Sequence, residues 1–193
     1  MKESIMGRVT GILFLMVMAG CQSYGEIKVR NDSFKNSKVA SVKLDHKSEE
    51  TFGMFNSQMP IEVTYTKEVK SGQPATIEMK IITPASATSE LKPQAFIKAD
   101  KQKFEVTLEG IQKTSATQST TTNQKDVKGM ITDTQTKTST QFASMGTIKV
   151  PIEVWKQMMG AQKVGYRLYI DQEALSFLVS DEWLEKLKEL DAQ

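Results

Sequence analysis

The sequence predicts a mainly β chain: an antiparallel β-sandwich carrying a long Thr-rich hairpin, with short helices near the C-terminus. Three observations lead there. Stretches of strict apolar–polar alternation recur along the chain and are rich in Val, Ile, Tyr, Phe and Thr. Clusters of Gly, Asn, Asp, Ser or Pro separate them. Apolar residues at helical spacing form two short stripes, both after Pro151. An α+β arrangement is the alternative.

Ile27 and Val29 open the alternation, and Asn31-Asp32-Ser33 signals a turn. Ala40, Val42, Leu44 and His46 then share one face, with Ser41, Lys43 and Asp45 on the other. Phe52, Met54, Phe55 and Met59 are apolar without a period. They read as a plug at one end of the core, because Met fills irregular gaps; a lip for peptide or lipid is the sharper alternative. Ile61, Val63 and Tyr65 run out, and Ile77, Met79 and Ile81 return across Lys70-Ser71-Gly72-Gln73-Pro74. This is the clearest hairpin in the chain. Pro84 closes it, and a loop of small residues follows over 85–90. A second hairpin pairs 96–99 with Phe104, Val106 and Leu108 across Asp100-Lys101-Gln102.

Residues 113–141 are rich in Thr, Ser and Gln, the composition of a linker. Their periodicity argues otherwise. Thr132, Thr134, Thr136, Thr138 and Thr140 alternate strictly, and facing Thr pairs stabilise antiparallel ladders by about 0.2–1 kcal/mol each. The segment is therefore expected to be a hairpin that continues the strand from Phe104, turns near 123–129 and returns to Val150.

Pro151 suits a helix start, and Ile152, Trp155 and Met159 share a helical face that Gly160 ends. Trp155 is read as a core anchor. Val164, Tyr166, Leu168 and Ile170 make another strand, with Arg167 and Tyr169 facing the other way, and 174–179 makes the last. Ser180 is placed to cap a final helix whose first turn carries Asp181 and Glu182. Trp183, Leu184, Leu187 and Leu190 form its apolar stripe. The stripe is expected to cover the β core, the alternative being a helix lying on a membrane surface.

The N-terminus gives the address. Lys2 and Arg8 flank the apolar run 9–20. That run is shorter than the roughly 20 residues a helix needs to cross a bilayer, and it fits an export signal. Its end, Met18-Ala19-Gly20-Cys21, resembles the lipobox of bacterial lipoproteins. The resemblance implies that Cys21 receives a diacylglycerol thioether, that the signal peptide 1–20 is removed, and that the new N-terminus takes an acyl chain such as palmitate. Gln22, where Asp tends to retain lipoproteins in the inner membrane, then implies the outer membrane. Residues 21–25 would be a lipidated tether and 26–193 a single β-rich domain.

The remaining chemistry is mostly exclusion. Cys21 is the only cysteine, so an exported chain must rely on burial rather than disulfides. The formal net charge is +2 without runs of like charge, which gives no footprint for nucleic acid. The sequence has no phosphate-cradling glycine loop, no Gly-x-Ser-x-Gly elbow and no His/Cys cluster for zinc. No cofactor or metal site is expected. His46 is the only histidine. Asp45 points to the opposite face, so His46 reads as a surface residue or a satisfied edge residue. Glu49-Glu50 as an acid–base pair, and Asp171, Glu173, Asp181 and Glu182 as calcium ligands, lack supporting spacing. The expected function is a lipid-anchored, non-catalytic binding or structural module with a possible protein partner. The alternative is an assembly subunit that docks through the 113–141 hairpin. A hydrolase ranks last.

Overall fold

The computed structural model describes residues 23–52, 57–125 and 131–193. Strands form where alternation predicts them, because a pleated chain sends successive side chains to opposite faces. Among the described residues they are β1 (Ile27–Asp32), β2 (Ser37–Phe52), β3 (Ser57–Lys70), β4 (Thr76–Ala85), β5 (Gln94–Ala99), β6 (Gln102–Lys125), β7 (Ile131–Val150), β8 (Val164–Ile170) and β9 (Glu173–Leu178). Two helices, α1 (Ile152–Gly160) and α2 (Asp181–Asp191), lie at the predicted places.

Every strand pairing is antiparallel, and the spatial order is β1-β2-β3-β4-β7-β6-β5-β8-β9. β9 then meets β2 at Ser48↔Phe177. Eight strands thereby close into a barrel, and β1 is an extra strand. The mainly β, antiparallel prediction holds, but the two facing sheets of a sandwich are replaced by one continuous sheet. Alternation specifies one buried face per strand, which both architectures share. What separates them is whether the last strand reaches the first, and that is a long-range fact.

The aperiodic stretch around Phe52 and Met59 is described only at its ends. β2 runs on to Phe52 and β3 starts at Ser57, paired at Thr51↔Gln58 and Phe52↔Ser57. Phe52 and Met59 thus belong to paired strands. Met54 and Phe55 lie outside the described residues, and Met59 is half-buried against the core.

The barrel interior holds alternate residues of each strand, among them Leu44, Val63, Tyr65, Met79, Ile97, Leu108, Ile148, Leu168 and Phe177. An eight-stranded barrel is just wide enough to be filled this way. The helices follow strands that end at the same rim. Val150 pairs with Ile77 at the start of β4, and Leu178 pairs with Gly165 at the start of β8. α1 buries Val154, Trp155 and Met158, and α2 buries Leu184, Leu187 and Leu190, in one cluster with the strand residues. The apolar stripe of α2 is thus spent on the core. Ser180 Oγ accepts from Trp183 N at the start of that helix, as its position predicts.

Trp155 anchors the helices to the sheet. It is 1% exposed, its ring lies 6.4 Å from that of Tyr65, and its Nε1 donates to Asp191 Oδ1 at 2.7 Å. Lys67 donates to both the carbonyl and the carboxylate of Asp191, a cation at the negative end of α2. Trp183 is only partly buried. Trp155→Ala is expected to cost about 3–5 kcal/mol in urea unfolding, and Trp183→Ala clearly less. Equal losses would contradict the assignment of Trp155 as the anchor.

Candidate functional site

Cys21 lies outside the described residues. The chain is fastened almost immediately after it. Tyr24 OH donates to Glu62 Oε2 at 3.1 Å, and Lys43 Nζ sits 5.1 Å from the Tyr24 ring centre. Gly25 N donates to Lys43 O at 2.9 Å. Gly25 has φ +78°, and a Cβ there would stand 2.9 Å from Trp183 Cζ3. Only glycine satisfies both the backbone and the crossing over the indole. Trp183 Nε1 in turn donates to Asp45 O at 2.8 Å.

That crossing lies beside the seam where the barrel closes. His46 is there, and the expectation of a surface or satisfied edge position is overturned. It is 5% exposed, with its ring 5.2 Å from Phe177. The polar run after it disguised the continuation of β2, in which Ser48 is the next inward residue. His46 Nε2 is buried and has no hydrogen-bond partner among the described residues. Burial pushes the imidazole pKa down to about 4, with a backbone hydrogen bond to Leu178 and the nearby Asp45 charge opposing weakly. Ser48 Oγ is engaged on both sides, donating to Glu50 O and accepting from Met59 N at 2.8 Å. Glu50 is engaged as well, since its Oε2 accepts from Ser176 N at 2.6 Å. The remaining buried polar pair, Tyr65 OH donating to Tyr166 OH at 3.1 Å, sits in the core, where burial raises both phenol pKa values.

The second feature is the Thr-rich ribbon. β6 and β7 pair from Leu108↔Ile148 to Lys125↔Ile131, so the hairpin reading of 113–141 is correct. The turn is expected near 123–129, but Asn123, Gln124 and Lys125 are still paired with β7, and 126–130 lie outside the described residues. β5 accompanies β6 from Thr107↔Gln94, and β4 follows β7 as far as Phe142↔Ala85. Beyond Ser115↔Phe142 the two strands have no third neighbour among the described residues. At about 3.4 Å per residue this free part reaches roughly 30 Å from the rim. Facing hydroxyls share hydrogen bonds at Thr117/Thr140, Ser119/Thr138 and Thr121/Thr136, at 3.1–3.2 Å.

The base of the ribbon carries a bulge that sequence reading missed. Between Glu109↔Thr147 and Gln112↔Met145, two residues oppose one. Gly110 there has φ +59°, which glycine adopts without penalty. Opposite it, a Cβ on Gly146 would stand 2.6 Å from Leu108 Cγ. A glycine inside an alternating strand was the available signal. Lys113 Nζ then ties the ribbon to the 86–90 loop through Ala87 O at 3.0 Å.

The four carboxylates considered for calcium do not converge. Among the described residues no group of three or more His, Cys, Asp or Glu is placed to hold a metal ion. Asp171 Oδ1 instead accepts from Glu90 N at 2.9 Å. Fold and site together define a closed antiparallel barrel that projects a two-stranded polar ribbon. No known protein family, curated protein or solved structure matches the chain.

The seam makes stability depend on pH. The unfolded chain accepts a proton on His46 near pH 6.5, but the folded barrel does so only near pH 4. As pH falls through that window the unfolded state gains a proton that the fold refuses, so stability drops by about 3 kcal/mol. Above about pH 6.5 the histidine contributes no pH dependence. His46→Leu is expected to flatten this part of the profile in urea unfolding at pH 7 and pH 4.5. An unchanged slope would mean that His46 is solvated in solution.

Proposed function

We propose that the protein is a lipid-anchored, non-catalytic module of the outer membrane, held at Cys21, whose barrel presents the β6–β7 ribbon as a docking arm. The observation that carries this reading is the free length of the ribbon beyond Ser115↔Phe142. Both its edges expose backbone N–H and C=O groups, and proteins normally blunt such edges with charge, proline or a covering element. Apart from Ala116, its described side chains are exposed Thr, Ser, Gln and Lys, which keep the ribbon soluble while leaving the edges open. A partner strand laid along either edge would take up those backbone groups.

The rigid base supports the same reading. The bulge at Gly110 and the Lys113 tie aim the ribbon from a fixed point on the barrel, which lowers the entropy lost when a partner orders it. The anchor is supported by the lipobox-like end of the run 9–20. From Cys21 to the first fastened residue, Tyr24, the chain spans about 10 Å at most. The barrel therefore stands against the lipid surface, and partners at that surface are within reach of the arm. A hydrolase built on His46 finds no support, because Ser48 Oγ and Glu50 are both engaged and the imidazole faces an apolar interior.

Joining Ser115 to Phe142 through an Asn-Gly turn removes the arm alone. This variant is expected to unfold at the same urea midpoint as the full chain, but to lose the protein partner that the full chain retains in detergent-solubilised membranes. Retention of the same partner would overturn the docking role. Cys21→Ala is expected to yield an unlipidated, uncleaved precursor, seen by mass spectrometry as a chain that keeps residues 1–20 and carries no acyl mass. A mature N-terminus other than acylated Cys21 would overturn the anchor.

A further inference from the structure

On the outside of the barrel, away from the arm, β5, β8 and β9 build a second surface. The register aligns Phe96, Arg167 and Ser176 across the three strands, and aligns Lys98, Gly165 and Leu178 in the next row. Gly165 has no side chain, and a Cβ there would stand 2.8 Å from Leu178 Cδ2. The glycine therefore keeps the floor low and lets Leu178 lie over it, half exposed. The result is an open groove of about 1290 Å³ whose walls add Lys101, Lys103 and Lys163.

The groove gathers five cations against two carboxylates, Glu49 and Asp100. Elsewhere some lysines are matched, as in Lys43–Glu62 and Lys149–Glu109, and others, such as Lys28 and Lys80, stand apart without a carboxylate partner among the described residues. Lys98, Lys101, Lys103, Lys163 and Arg167 all face the groove. Each is exposed, and none has a carboxylate partner among the described residues. Asp100, which lies among them, has its carboxylate turned to the backbone N–H groups of Gln162 and Lys163 at 2.9–3.3 Å. Arg167 is oriented by its Nε bond to Ser176 Oγ at 3.0 Å. Lys103 Nζ is held 3.8 Å from the Phe96 ring centre. Unmatched, positioned cations around an apolar floor call for a ligand that is both negative and able to enter a groove.

The geometry points to an extended acidic segment of a protein partner, carrying carboxylates for the walls and an apolar side chain for Phe96 and Leu178. Each row of the floor holds one cation and one apolar side chain, Arg167 with Phe96 and Lys98 with Leu178, so the segment must carry both acidic and apolar residues, and an extended chain with the two alternating turns one kind to each side. A bilayer is flat on this scale and would touch the wall lysines without reaching Arg167 or the Phe96 ring. The groove and the arm lie on different strands, so the two surfaces can be tested separately.

The probe is a rhodamine-labelled octapeptide of alternating Glu and Val, followed by fluorescence anisotropy with the mature domain. Binding is expected at about 50 mM salt and should weaken steeply by about 500 mM. Lys98→Glu/Arg167→Glu should weaken it about tenfold or more. Lys101→Glu/Lys163→Glu, which touches no side-chain hydrogen bond of the barrel, should weaken it similarly. Lys28→Glu/Arg30→Glu, the same charge change on β1, should leave it near the full-chain value, and so should removal of the arm. Equal loss in the β1 variant would reduce the effect to net charge and overturn the site. So would absence of peptide binding alongside capture by phosphatidylglycerol vesicles.

Discussion

One edge of β2 is shared by two strands. β1 takes it from Ser37 to Val42, and β9 takes it at Ser48. Between them the carbonyls of Lys43 and Asp45 accept from Gly25 N and Trp183 Nε1. An exposed run of backbone groups is thereby covered without a ninth barrel strand. Phe177 brings its ring against both His46 and Tyr166, the latter at 5.0 Å. Closure thus joins the hydrogen-bonded wall to the aromatic interior. The route to α2 starts where β9 reaches the seam, so the helix that completes the core depends on the same junction.

The cost of this arrangement is concentrated at His46. A buried imidazole with one unpartnered nitrogen is less favourable than an apolar side chain in that place. It is tolerated because the neutral ring packs on Phe177 and the fold excludes the charged form. The ribbon obeys opposite rules. It has no interior, so its order rests on backbone pairing and hydroxyl pairs, each of small net value. A chain that combines a filled barrel with an unsupported ribbon has separated its stable part from the part free to meet another molecule.

Much of the fold was legible because the local signals agreed. The β3–β4 hairpin shows alternation, β-branched residues and a glycine turn in one stretch. Pro151, Ser180 and the leucines of α2 mark the helices by their capping and spacing. The Thr ribbon was legible from period against composition, and register later placed the hydroxyls face to face. Closure was not legible, because it depends on Phe177 meeting Ser48, a residue 129 positions earlier in the sequence (177 minus 48). His46 was misjudged because its strand continued through polar residues. The groove could not be read because Lys98, Lys103 and Arg167 become neighbours only through the order β6-β5-β8, although the outward face of Arg167 was evident from its alternation.

Closure of the sheet between β9 and β2 is the claim on which the barrel, the buried histidine and the docking of α2 all rest. Backbone nuclear Overhauser effects on the isotope-labelled protein test it directly. Cross-peaks between Ser48 and Phe177 are expected, together with those of the β2–β3 and β8–β9 ladders. If both ladders were present while Ser48 and Phe177 showed no contact, the sheet would be open and the barrel description wrong.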